Sequence, residues 1–410
     1  MTRSFPKSHT PPPHPICRAV RWVMFTVVGF ILVAASSEAE PVVRQPVRVD
    51  VQSTPVESFT LAARDRADVT VGWIVAEGSE KGLYLRHRQN LVWAPSPSRL
   101  PLEGHRGARD LQMAHDAEGR LNLAWTAVVD RDRGLFHVRF SPGTGFGPVR
   151  SIDGADKRAR HEADLPSMMA DARGGVYLVW QENRPFSTAI RAAYLDAEAD
   201  MILDLGYVSG ESRSGIGPQI LTADPFQVVW YEVFEVGGRL RTDAWLRQQR
   251  RWVDSDLDAR LESLLPSGNL SLNVVDGDVI GCWHAHEAGT SAIGVLRIPA
   301  HPLAGPTAAR MAFIDDPRGD HRHPDLGGRH AEQLTLAWQV FSGHDQRICL
   351  RRLFPRDAAS EPVVLSGPGQ RFATQPHHIT LGDWSAAVWT DEARDGGTGH
   401  VYFNEVQWGR

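Results

Sequence analysis

Residues 174–183 read GGVYLVWQEN: a glycine pair, a run of strand-forming residues, a Trp, and then polar groups. Six other stretches close in the same way: VTVGW at Trp73, LNLAW at Trp125, FQVVW at Trp230, DVIGCW at Trp283, LTLAW at Trp338 and SAAVW at Trp389. Successive Trp are 52, 55, 50, 53, 55 and 51 residues apart, a period that belongs to propellers and solenoids. Upstream of the Trp run lies another short strand and a turn, as in LQMAHDAEGR before Trp125 and PSMMADARGG before Trp180. Downstream, after a polar loop, comes a third strand: GLYLRHR, LFHVRFS, AIRAAYL, RLRTDAW, AIGVLRI, RICLRRL and HVYFNEV. A fourth is visible in NLVWAPSPSRL and RRWVDSDL. Helical periodicity is nowhere sustained, which excludes an α-solenoid.

The residue before each Trp is Gly72, Ala124, Val179, Val229, Cys282, Ala337 or Val388, and the one before that is also small or apolar. Alternate residues of a strand face opposite ways, so both faces of this strand must be dry, as between neighbouring blades. The expected fold is all-β: a single seven-bladed β-propeller of four-stranded antiparallel blades over residues 40–410. The last unit ends at its third strand, so residues 41–52 (PVVRQPVRVDVQ) are expected to complete it and close the ring by pairing N- and C-terminal strands. Cys282 falls in the small apolar column, which makes it a packing residue; Cys349 is read in the same way.

Residues 1–39 read as a targeting segment, with Arg3, Lys7, Arg18 and Arg21 before an apolar stretch from Trp22 to Ala35 and a small-x-small site at Ser37-Glu38-Ala39. It is either a cleaved signal peptide or a retained N-terminal anchor. Both imply an exported protein, periplasmic or secreted, with a membrane association only if the segment stays. The formal charge of −5 falls to about −8 without residues 1–39, and no basic run is present, which argues against a nucleic-acid partner. A monomer is expected.

The order of elements in PSMMADARGGVYLVWQE and PQILTADPFQVVWYE resembles the sialidase-like, BNR-type propellers. The resemblance implies a site in the channel mouth and, for true sialidases, three Arg, a Tyr–Glu pair and an acid Asp. This sequence departs from that pattern. No Ser-x-Asp-x-Gly-x-Thr-Trp box occurs, and the one Arg-Ile-Pro falls at Arg297 to Pro299, late in the fifth repeat.

One mouth of a propeller channel is lined by the loops after the second strands and those entering the first strands. After the Trp come Glu182, Glu232, His284-Ala285-His286-Glu287, Gln339 and Asp391-Glu392. Entering the first strands come Arg109 and Asp110, Arg160-His161-Glu162, Arg213, His321-Arg322-His323 with Asp325, and Arg371 with His377-His378. Four entries share an Arg or His shortly before a Pro. Two readings stay open: structural ion pairs repeated from blade to blade, or Arg and His converging on an anionic ligand. The ligand candidates are Arg160, His161, Glu182, Arg213, Glu232, Arg322, Arg371 and Asp391. His284, His286, His321 and His323 are candidate ligands for one divalent metal ion. Three functions follow: binding of an acidic glycan or another envelope component, catalysis on acidic carbohydrate (a sialidase-like hydrolase or a metal-dependent polysaccharide lyase), and a protein-interaction scaffold.

Overall fold

Each Trp run becomes the second strand of a sheet, because the strands on either side of it in sequence are the two that can pair with it. The computed structural model describes residues 40–409 apart from 52–53, 77, 154–160, 198–200, 211–213, 234–237, 255–269, 288–289, 299–309, 315–318, 354–360, 369, 371 and 392–398. The targeting segment expected at 1–39 lies outside these residues.

Seven antiparallel sheets follow in chain order. Blade 1 is Ser58–Asp65, Asp68–Val75 and Gly82–Gln89, edged by Val92–Trp93 and Ser98–Pro101. Blade 2 is Arg106–His115, Leu121–Val129 and Asp132–Ser141, edged by Gly145–Phe146 and Arg150–Ser151. Blade 3 is Glu162–Ala170, Val176–Asn183, Thr188–Leu195 and Ile202–Tyr207; blade 4 is Gly215–Ala223, Phe226–Val233, Gly238–Leu246 and Arg251–Asp254. Blade 5 is Leu270–Val275, Asp278–Glu287, Thr290–Ile298 and Arg310–Ile314; blade 6 is Asp320–Gly327, Thr335–Ser342, Asp345–Arg352 and Val363–Val364. Blade 7 is Ala373–Leu381, Trp384–Asp391 and His400–Gln407. Its outer edge is supplied by Val42–Val43 and Val47–Arg48, paired antiparallel to His400–Gln407. The seven first strands touch one another in cyclic order, blade 7 meeting blade 1.

The Trp column explains the packing between blades. Trp73, Trp125, Trp180, Trp230, Trp338 and Trp389 are fully or almost fully buried, and each packs against the preceding blade. Trp180, for example, shares a cluster with Ala124 and Leu135 of blade 2. Trp283 is half-buried and lies against Leu221 and Val229 of blade 4. The residue before each Trp faces the other way. Gly72 has no side chain because Met113 of blade 2 occupies the space; an added Cβ would lie 2.6 Å from its Sδ. Cys282 and Cys349 are buried thiols in one apolar cluster between blades 5 and 6.

The first strands line the channel and have no strand partner on that side, so their backbone groups need other partners. Side chains of the preceding blade supply them. Thr60, Gln112, Ser167, Gln219, Ser271, Asp325 and His377 stand at one register position, opposite the residue before the Trp, and all seven are polar. Across four successive interfaces this side chain accepts a backbone N–H of the next blade. Ser167 accepts from Ile220 at 3.2 Å, Gln219 from Leu272 at 3.0 Å, Ser271 from Leu326 at 3.2 Å and Asp325 from His378 at 2.7 Å. Ser167→Ala and Ser271→Ala are each expected to cost about 1 kcal/mol, and together about twice that, since the two interfaces share no partner; urea unfolding midpoints would show it.

Each Pro of the Arg/His-before-Pro pattern follows a backbone bulge. Five first strands bulge at a residue with positive φ: Asp110 (57°), Leu165 (47°), Gly217 (59°), His323 (50°) and Gln375 (50°), each inside a register shift against the second strand. In the last four the next residue is Pro, which has no N–H to give to a ladder and is tolerated at a bulge. A non-glycine residue in this region carries backbone strain of about 1–3 kcal/mol, a feature that concentrates at functional sites.

Candidate functional site at the channel mouth

The bulges stand near the entering ends of the first strands, where the loops after the second strands also return. Over blades 2 and 3 this brings two carboxylates together. Asp110 sits at its bulge, and its Oδ2 accepts the Thr126 hydroxyl at 2.8 Å. Asp164, one residue before the bulge of blade 3, accepts Arg109 Nη2 at 2.8 Å, while Arg109 Nε lies 3.4 Å from Asp110 Oδ2. Burial raises the Asp110 carboxyl above its ordinary range; the Asp164 carboxylate adds to the rise, and the Thr126 hydroxyl and Arg109 oppose it. Arg109 is 46% exposed. Arg106 and Arg131, at the same corner of blade 2, are exposed.

Next to this pair is a hub on blade 3. Glu182 is buried and accepts hydrogen bonds from His161 Nδ1 (2.6 Å), Arg184 Nε (3.0 Å), Arg191 Nη1 (3.1 Å) and the Tyr207 hydroxyl (3.1 Å). Burial works against its charge, but the bonds from His161, Arg184 and Arg191 outweigh it and hold the carboxyl below the ordinary range. Donation through Nδ1–H leaves the lone pair of a neutral His161 on Nε2, and the ring is 31% exposed. Arg184 and Arg191 also lie over the Tyr207 ring, at 4.4 and 5.3 Å. At the tip of the next turn, closed by Arg184 N–H to Ser187 O, Phe186 is fully exposed.

The other expected residues divide. His161 and Glu182 are brought together. Glu232 is buried with Arg241 Nε 3.7 Å away, the blade 4 counterpart of Glu182 and Arg191. Asp391 accepts the Phe372 N–H within its own blade. The Arg partners of Glu182 and Glu232 belong to the same blade as their acid. Arg160, Arg213, Arg371 and the side chain of His286 lie outside the described residues.

Over blades 5 to 7 the side chains of His284, His321 and His323 are described, and each has its own neighbours within the protein. His321 is buried, and its Nδ1 accepts the Trp338 indole N–H at 2.9 Å, so that nitrogen's lone pair is committed to packing. His284 is hydrogen-bonded to Ser291. His323 sits at its bulge, and burial, with Arg322, His284 and His377 nearby, lowers its pKa. Arg322 pairs with Asp320 and lies 4.7 Å over the Phe341 ring. Among the described residues no three His, Cys, Asp or Glu side chains are placed to share a metal ion.

Arg109 and Asp110 were visible in the sequence as residues entering a first strand, but Asp164, Arg184, Arg191, Tyr207 and Phe186 carried no signal. Asp164 precedes Leu-Pro like any residue before a bulge; its importance comes from an Arg of another repeat.

No protein-family model matches the chain, and no curated protein matches it in sequence. Solved structures do match in fold. The polysaccharide lyase Uly1 aligns with a TM-score of 0.54 at 9% identity, covering 88% of this chain and 91% of the lyase. A structure described as a new family of polysaccharide lyase, PL25 ulvan lyase, aligns at 0.51 and 10% identity, over 89% of this chain and 94% of its own. The sialidase of Trypanosoma rangeli aligns at 0.44 and 9% identity, over 88% of this chain and 59% of the sialidase. At these identities the likeness to the two lyases is one of fold.

Proposed function

We propose that this chain is an exported, carbohydrate-active propeller that takes an acidic glycan at the channel mouth over blades 2 and 3 and cleaves it by proton transfer. The observation that carries this reading is the Asp110–Asp164 pair, in which one carboxyl is raised toward the neutral form beside a second carboxylate and a half-exposed Arg. Paired groups whose environments push their protonation apart are what acid–base catalysis requires. Asp110, whose carboxyl burial raises, is placed to give a proton to a leaving glycosidic oxygen. His161, held by Glu182, offers Nε2 as the base. Arg106, Arg109 and Arg131 supply positive charge for the carboxylates or sulfates of the glycan, and Phe186 presents a flat apolar face for a sugar ring.

Elimination is favoured over a tyrosine-nucleophile mechanism by the state of Tyr207 and Glu182. Burial, and then the Glu182 carboxylate, raise the Tyr207 hydroxyl, the opposite of what a phenolate nucleophile needs. Glu182 accepts the Tyr207 hydroxyl, but two Arg and a His hold it in its charged form and make it a weak base toward that proton. In elimination, the base removes the proton on the carbon bearing the uronate carboxylate. The electron pair forms a C=C bond, and the glycosidic oxygen leaves with the proton from the acid. The lyase propellers that share this fold support the substrate class.

The test is incubation with pectate, alginate, chondroitin sulfate and heparin, and separately with sialyllactose, following the ultraviolet absorbance of an unsaturated product and the release of reducing ends. Unsaturated ends from a polyuronate are expected. New reducing ends without absorbance would mean hydrolysis and overturn elimination; no binding and no product from any of them would overturn the reading of the mouth. Arg106→Ala with Arg131→Ala is expected to raise KM about tenfold at low salt, with kcat little changed and the difference shrinking as salt is added.

A further inference from the structure

We propose a second site at the far end of the propeller: a pocket between blades 1 and 2 that binds a single neutral sugar ring. The turns joining first to second strands, and the ends of the third strands, meet at this end, opposite the mouth. Here Asp68, His87 and Gln89 of blade 1 face His115, Leu121 and Phe140 of blade 2 around a cavity of about 280 Å³. That is far more than the roughly 30 Å³ share of a water molecule and just under the range of about 300–1,000 Å³ for larger ligands. One ring fits; an oligosaccharide does not.

The lining holds polar atoms that the protein itself does not satisfy. Neither ring nitrogen of His115 makes a full hydrogen bond within the protein, although the Gly119 backbone lies close to the ring. His87 Nδ1 is engaged by the Thr70 hydroxyl at 2.6 Å. Its Nε2 lies 3.4 Å from Asp68 Oδ1 without making a hydrogen bond, and both of those atoms are buried. Buried polar atoms without a full hydrogen bond are rare in native proteins. With the Asp68 carboxylate and Gln89, the two imidazoles mix donors and acceptors around one cavity, which matches adjacent hydroxyl groups, each of which both donates and accepts. Leu121, Phe140 and Pro142 give the apolar wall against which a C–H face of a sugar ring packs.

The charges point to a neutral ligand. Arg64 lies 3.8 Å from Asp68, and Arg120 pairs with Asp116 and Glu118 at 2.8 and 2.9 Å. Burial lowers the pKa of both His87 and His115, so neither ring adds charge at neutral pH. An anion would meet Asp68 and Glu118; a cation would meet Arg64. Gly119 is what lets Arg64 close this end, since a Cβ there would lie 2.4 Å from its guanidinium.

The experiment is titration of the full chain with the methyl glycosides of glucose, galactose, mannose and xylose, read by saturation-transfer NMR and calorimetry. Inorganic phosphate and zinc are titrated in parallel. At least one glycoside is expected to bind one to one. Ser141→Trp, which fills the pocket from its rim, and His115→Phe, which removes both ring nitrogens, are each expected to weaken it about tenfold or more. Circular dichroism shows which variants fold, and His115→Phe keeps the test open if Ser141→Trp does not. Binding of none of the four glycosides overturns the proposal. So does binding that survives both pocket variants, binding lost on Arg106→Ala at the mouth, or capture of phosphate or zinc alone in this pocket.

Discussion

Glu405→Ala is expected to destabilise the protein by about 3–5 kcal/mol, because it leaves a buried cation without its partner. Glu405 is buried in the third strand of blade 7, where the ring closes. Its Oε2 accepts Arg88 Nη2 of blade 1 at 2.9 Å and the Trp384 indole N–H at 2.9 Å. Its Oε1 is 2.8 Å from Arg44 Nε, beside the N-terminal edge strands, and 3.7 Å from Arg66 Nη2. Arg88 is as buried as Glu405 and lies 4.9 Å over the Phe403 ring. One carboxylate therefore ties together blade 7, blade 1 and the N-terminal edge. Arg44 is half-exposed, so Arg44→Ala is expected to cost under about 1 kcal/mol. A thermal scan of both variants tests this. Equal and small shifts would mean that closure rests on strand pairing and apolar contact alone.

Asp110→Asn is expected to lower turnover of the glycan about 10²–10⁴-fold while leaving the fold intact or slightly firmer. Asn accepts the left-handed backbone conformation of this bulge and mimics the neutral carboxyl, but has no proton to donate. The stability effect has a definite sign. Because burial and Asp164 raise the native pKa of Asp110, the stabilisation tied to its neutral form is complete at low pH and is lost as pH rises through that raised value. Asn never ionises, so the variant's melting temperature relative to the parent should climb over the same interval. The activity of the parent should fall there too, as the acid loses its proton. A variant with near-parental turnover would remove Asp110 from the chemistry. A melting difference independent of pH would remove the raised carboxyl.

Much of the fold was legible in the chain. The Trp spacing, the two dry faces of VYLVW and the missing edge of the last unit each report a local requirement of a blade, and a local requirement repeats in sequence wherever the blade repeats. The same logic reached the mouth only in outline. It put His161 and Glu182 at one mouth without pairing them; their contact follows from register, since they flank paired strands of one blade. It read His321 as a metal ligand because sequence does not show that the Trp338 indole claims that ring. The Pro that closes the Arg/His-before-Pro pattern follows a bulge in a strand without an inner partner, which a linear pattern does not show.

The sequence by itself determined the blade: strand order, the Trp wedge, the small residue beside it and the number of repeats, all set by alternation and burial within about fifty residues. The tertiary structure alone decided which blade faces which across the ring. Arg109 meets an acid 55 positions away, Arg88 a carboxylate 317 positions away, and Asp110 becomes a weaker acid because it is buried beside a carboxylate of the next blade. Those pairings depend on distances through space, and no pattern along the chain records them.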